Sequence, residues 1–85
     1  MKLLWEERAW DDYLYWQTQD KKNAKRINAL LKEVQRTPCD GLGKPELLKG
    51  NLSGLWSRRI DEKHRIVYFV KDDTVHIIAC RGHYD

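Results

Sequence analysis

At 85 residues the chain is one domain, 1–85, with room for a single core and none for a separate regulatory unit. Hydrophobic residues at 41% and charged residues at 34%, with no long polar or Pro/Gly/Ser tract, exclude a disordered chain, and no apolar run approaches the roughly 20 residues of a membrane helix. The net charge of +3, from 16 Lys and Arg against 13 Asp and Glu, leans mildly toward a polyanionic partner.

In chain order, KLLW reads as a short strand. EERAWDDYLYWQ follows as a helix, with acidic residues at its positive dipole end and Trp10, Tyr13 and Leu14 at helical spacing. Asp20 is placed to cap a second helix, KKNAKRINALLKEVQRT. Its Ala24, Ile27, Leu30, Leu31 and Val34 form one apolar stripe, and Lys21, Lys22, Lys25 and Arg26 a solvated face. Pro38 closes that helix. The stretch PCDGLGKPELLKGNLSG, rich in glycine and with two prolines, is a long connection holding a short turn or strand; connections of this length in compact domains commonly carry function.

Three strands follow, LWSRRID, HRIVYFV and TVHIIAC, separated by the turns EK and DD. The middle one is apolar on both faces and belongs at the centre of a sheet. The predicted architecture is α+β: two N-terminal helices packed on one face of a mostly antiparallel sheet, with the first strand at its edge. With tight two-residue hairpins, Arg65 shares a face with Trp56, Arg58, His76 and Cys80, opposite the Ile66, Tyr68 and Ile77 face that meets the helices.

MKLLWEERAW turns acidic before a signal-peptide core can form, and Cys39 and Cys80 match no CxxC or zinc spacing. Both point to a cytoplasmic protein with reduced thiols and no metal site. Basic residues concentrate between 43 and 65: Lys44, Lys49, Arg58, Arg59, Lys63 and Arg65 stand against Glu46, Asp61 and Glu62, so this segment alone equals the charge excess of the whole chain.

The terminal CRGHYD carries the side chains best suited to acid–base work. As an isolated pair, His83 and Tyr84 read as a frayed aromatic end. A histidine, whose ordinary pKa is roughly 6.5, can nevertheless protonate a leaving oxygen at neutral pH, and Arg81 adds a fixed charge nearby. Glu46, between Lys44 and Lys49, is either a solvated loop charge or a base. Arg58 and Arg59 divide evenly between surface ion pairing and function. Arg65, opening an apolar strand, is the arginine best placed to grip a phosphate bidentately. Trp5, Trp10, Trp16, Tyr13 and Tyr15 suit a core or a protein-partner surface better than base stacking, and His64 reads as a turn residue. A carboxylate, several fixed cations and a histidine are the parts needed to cleave RNA without metal or other cofactor.

The stretches WDDYLYWQ, GKPELLKGNLSGLWSRRIDEKHRIVY and ACRGHY resemble the YoeB toxins of YefM–YoeB toxin–antitoxin pairs, within the RelE-like superfamily, over essentially the whole length. The resemblance implies a RelE-like, microbial ribonuclease-type fold and a toxin that enters the ribosomal A site and cleaves messenger RNA there. It assigns Glu46 as general base, Lys49 as the lysine that follows it, Arg65 as transition-state stabiliser, His83 as general acid and Tyr84 as a substrate-positioning or supporting group, with the base left open among Glu46, Tyr84 and a ribosomal group. Lys44, Arg59 and Arg81 join Lys49 as substrate-binding candidates. The expected products are a 2′,3′-cyclic phosphate and a 5′-hydroxyl. The implied partners are a YefM-like antitoxin, the ribosome, a second copy of the chain, and operator DNA through the antitoxin complex. The family commonly stops at the tyrosine, so Asp85 is a departure that places an extra carboxylate beside His83. The alternative is a toxin-like protein that binds ribosome or antitoxin without cutting.

Overall fold

The structure, a computed structural model, describes residues 1–83. The elements run β1 (Lys2–Trp5), α1 (Glu7–Gln19), α2 (Lys21–Arg36), β2 (Glu46–Leu47), a 3₁₀ turn (Gly50–Leu52), β3 (Trp56–Arg59), β4 (Arg65–Lys71) and β5 (Thr74–Ala79). The strands form one sheet in the order β1-β5-β4-β3-β2, antiparallel except that β1 lies parallel to β5. A parallel neighbour needs a crossover, and the helical pair supplies part of it.

Local chemistry accounts for most boundaries. Asp20 ends α1 and caps α2, its Oδ1 accepting from the Asn23 N–H at 3.1 Å. The stripe Ala24, Ile27, Leu30, Leu31 and Val34 is buried in full against Ile66, Tyr68, Val75 and Ile77 of the sheet. The DD turn is a two-residue hairpin: Lys71 faces Thr74, and Asp72 and Asp73 both take left-handed backbone, φ 53° and 55°, as a type I′ turn requires. β4 sits in the middle, with its first four residues buried.

Two expectations are corrected. The buried face of α1 is Ala9, Asp12 and Trp16, while Trp10 and Leu14 are 44% and 45% exposed. Trp10 joins Trp5 and Tyr13 in an aromatic group beside the core, with ring centroids 4.7 to 5.6 Å apart. Asp12 can face inward because the buried Cys80 N–H donates to its Oδ2 at 3.0 Å.

The second correction concerns register. Arg59 faces Arg65 and Arg58 faces Ile66, so five residues, 60–64, rather than two, separate the paired positions of β3 and β4. That one-residue slip turns Trp56 and Arg58 to the helix side and leaves Arg65 with Arg59, Ser57 and Val67 on the other. A bulge shifts the β4–β5 register between Val67 and Tyr68, and Cys80 ends in the helix-side core. His76 does share the face of Arg65; its ring stacks on Phe69 at 4.4 Å.

Candidate active site

Three separate segments converge on a cleft of about 260 Å³ lined by Lys44, Glu46, Leu47, Leu48, Lys49, Ser57, Arg59, Arg65 and His83. Its floor is the sheet face turned away from the helices, where Glu46 lies directly across from Ser57 and Arg59 across from Arg65. Six of the predicted site residues are thereby brought together.

The 38–54 connection delivers the carboxylate and the two lysines. It is tied to β3 by two backbone bonds, Arg59 N–H to Gly43 O at 2.7 Å and Leu48 N–H to Leu55 O at 2.8 Å. Gly43, at φ 89°, threads so close to α2 that a β-carbon would stand 2.7 Å from Leu30 Cδ2. Because β2 is only two residues long and the chain then bends into the 3₁₀ turn, Glu46 and Lys49 both reach the cleft instead of alternating across a strand.

Arg58 holds this connection from beneath. It is 0% exposed, and its guanidinium donates to Tyr68 Oη at 3.0 Å, to Leu42 O at 3.0 Å, to Asp40 O at 2.7 Å and to Thr37 O. Tyr68 in turn donates to Pro38 O at 2.6 Å. A buried cation is thus solvated by main-chain carbonyls of the very loop that leads to Lys44 and Glu46. Burial raises the Tyr68 pKa, with the bond from Arg58 and its charge opposing the shift. Arg58 is therefore neither the surface ion-pair partner nor the cleft residue that the sequence offered as alternatives, but a buried tie for the loop.

Arg65 is largely buried at the cleft wall. Its Nη1 donates to Asp61 O at 2.8 Å, His64 O at 3.1 Å and Glu62 O at 3.3 Å, which fixes the guanidinium plane. The turn below is set by Asp61, whose Oδ1 accepts from the Lys63 and His64 N–H groups at 2.8 and 2.7 Å and whose Oδ2 accepts from Asn23 Nδ2 at 2.9 Å. Burial pushes the Asp61 pKa up, but these bonds outweigh it and the net shift is downward. Among the described residues, Lys44, Lys49, Arg59 and Arg65 make no salt bridge.

His83 reaches the cleft through a tethered tail. Trp16 Nε1 donates to Cys80 O at 2.7 Å, and Arg8 Nη2 donates to Arg81 O at 3.3 Å. The Gly82 N–H donates to His64 Nδ1 at 2.9 Å, while Gly82 O accepts from the Arg65 N–H at 2.9 Å. The strand does not continue past Ala79, and Gly82, at φ 105°, redirects the chain. Arg81 and His83 therefore part: Arg81 sits over the Tyr15 ring at 3.5 Å, away from the cleft, and His83 lines it. Tyr84 and Asp85 lie outside the described residues.

Sequence reasoning missed Ser57. His64 lies in the β3–β4 turn, as expected, and also braces the tail, its ring set edge-on against Trp16 at 4.8 Å. The signal for Ser57 is its place inside β3, opposite Glu46, legible only once the register is known. Cys39 and Cys80 are both free thiols; burial and the Asp12 carboxylate push Cys80 up to about 12, so it stays protonated.

The family model for the YoeB-like toxin of bacterial type II toxin–antitoxin systems matches residues 5–84. Toxin YoeB of Escherichia coli strain K12 is 63% identical over 84 residues, covering 99% of this chain and all of the relative. A solved YoeB dimer from Staphylococcus aureus superposes with a TM-score of 0.92 at 46% identity, and the toxin chain of a heterotetrameric YoeB–YefM complex from the same organism with 0.91 at 46%, each covering 99% of this chain and 98% of the other. Agreement in sequence and fold across nearly the full length establishes that the chain belongs to the YoeB-like toxins of bacterial type II toxin–antitoxin systems.

Proposed function

We propose that this toxin is an endoribonuclease that cleaves messenger RNA in the ribosomal A site and thereby stops translation. The observation that carries the reading is the convergence of Glu46, Arg65 and His83, from three chain segments, in one cleft with Lys44, Lys49 and Arg59. Glu46 or Tyr84 takes the proton of the ribose 2′-hydroxyl, whose oxygen then attacks the adjacent phosphorus. Arg65, held in a fixed plane, and Arg59 stabilise the added negative charge of the crowded phosphorane, and the two lysines hold the flanking backbone. His83 protonates the departing 5′-oxygen. The products are a 2′,3′-cyclic phosphate and a 5′-hydroxyl, and the side chains themselves supply acid, base and charge without a metal.

Solved relatives that form a dimer and a YoeB–YefM complex support a second toxin copy and a YefM-like antitoxin as partners, and the cleavage reading adds the cytoplasmic ribosome with its message, and operator DNA through the antitoxin complex. The deciding experiment incubates the purified protein with programmed ribosomes and chelator and maps the ends of the message. Cleavage with a cyclic phosphate on the upstream fragment is expected. An intact message on occupied ribosomes would replace the enzyme with a non-catalytic blocker.

A further inference from the structure

Ser57 stands at the centre of the cleft floor, and the mechanism above leaves it without a role. Its strand neighbours Trp56 and Arg58 point to the helix side, so its side chain faces the cleft, which it lines. Directly opposite lies Glu46 on β2, with β-carbons about 5 Å apart in such pairs. Two residues along the strand is Arg59, itself across from Arg65. The serine thus sits between the carboxylate and the two guanidiniums, on the side from which a phosphodiester spanning them would be approached.

Its hydroxyl also lacks a partner among the described residues of the protein. Ser57 is 5% exposed, yet among the described residues its side chain has no hydrogen-bond partner. Buried hydroxyls are nearly always bonded, and the bare alternative of alanine or valine would suit a strand floor beside the buried Val67. An unmet donor facing a cationic cleft matches a ligand that arrives with acceptor oxygens.

We propose that the Ser57 hydroxyl contacts the substrate, donating a hydrogen bond to a non-bridging oxygen of the scissile phosphodiester between Glu46 and the Arg59–Arg65 pair. The proposal rests on the ribonuclease reading. Lysines at the rim neutralise charge from a distance, whereas a short, floor-mounted donor fixes which phosphate oxygen points inward, and with it the in-line approach of the 2′-oxygen.

The test begins with wild-type cleavage on programmed ribosomes, whose failure would remove the ribonuclease reading itself. Given that activity, Ser57→Ala should slow single-turnover cleavage roughly 10- to 100-fold, the size of one hydrogen bond to a charged oxygen, with ribosome affinity and the urea midpoint little changed. Ser57→Thr, which keeps the hydroxyl, should cut faster than the isosteric Ser57→Val, so that a steric effect common to both is separated from loss of the donor. In messages carrying a phosphorothioate at the cleaved position, one diastereomer should be slowed in the wild type and that penalty should shrink in Ser57→Ala. Equal rates for alanine variant and wild type, equal rates for threonine and valine variants, or an unaltered diastereomer preference would each overturn the proposal.

Discussion

The main-chain N–H of Gly82 donates to Nδ1 of His64 over 2.9 Å, and the carbonyl of the same glycine accepts from the Arg65 N–H at 2.9 Å. One residue before the proposed acid is therefore bolted to the first residue of the strand that bears the proposed phosphate clamp. The imidazole accepts only while Nδ1 carries no proton. Replacing His64 with phenylalanine keeps a ring against Trp16 but removes the acceptor. Single-turnover cleavage should fall about 10-fold through misplacement of His83, with ribosome binding retained. An unchanged rate would show that the tail finds its position without this bond.

His83 and Glu46 are expected to act on the chemical step. His83→Ala should reduce the single-turnover rate roughly 100- to 10,000-fold while leaving ribosome affinity close to normal. Glu46→Ala should likewise lower the rate more than the affinity. Binding defects without a rate defect at saturating ribosomes would count against acid–base roles for these two side chains.

Arg58 should matter for folding before it matters for catalysis. Arg58→Met removes the donor that serves the Thr37, Asp40 and Leu42 carbonyls together, and stability should drop by about 3 to 5 kcal/mol in urea unfolding. Lysine should restore little, because a single ammonium cannot reproduce the forked geometry. A loss within 1 kcal/mol, roughly the effect of an ordinary surface change, would mean that the 37–43 loop is held by other contacts.

Asp61 links acid stability to the same turn. Its folded-state pKa lies below the unfolded value of roughly 3.9, so its contribution is complete above that value and disappears as pH falls through the lower, folded one. Urea midpoints of the wild type should therefore decline on the acid side more steeply than those of Asp61→Asn. Parallel acid limbs would remove Asp61 from the cause.

Much of the fold was readable because local rules agreed with the global arrangement. The α2 stripe, the Asp20 cap, the DD hairpin and the doubly apolar β4 each had a single good solution. The face of α1 was misread because Asp12 looks solvent-bound until its bond to the Cys80 N–H is seen. The Arg65 face was misread because the RRIDEKHR segment allows either a two-residue or a five-residue connection, and side-chain alternation reverses between them. Candidate site residues were legible by type, since Glu, Arg and His announce their chemistry. Ser57, His64 and Arg58 stand out only from position: one in the cleft floor, one beneath the tail and one under the loop.

The cleft's four cations have a consequence for the free protein. Lys44, Lys49, Arg59 and Arg65 repel one another, and among the described residues that line the cleft Glu46 is the one acidic side chain. A polyanion that enters relieves that repulsion as it binds, so its affinity and the toxin's own conformational stability draw on one electrostatic reserve. Whatever polyanion fills the cleft is at the same time the counter-ion that tightens the protein around it.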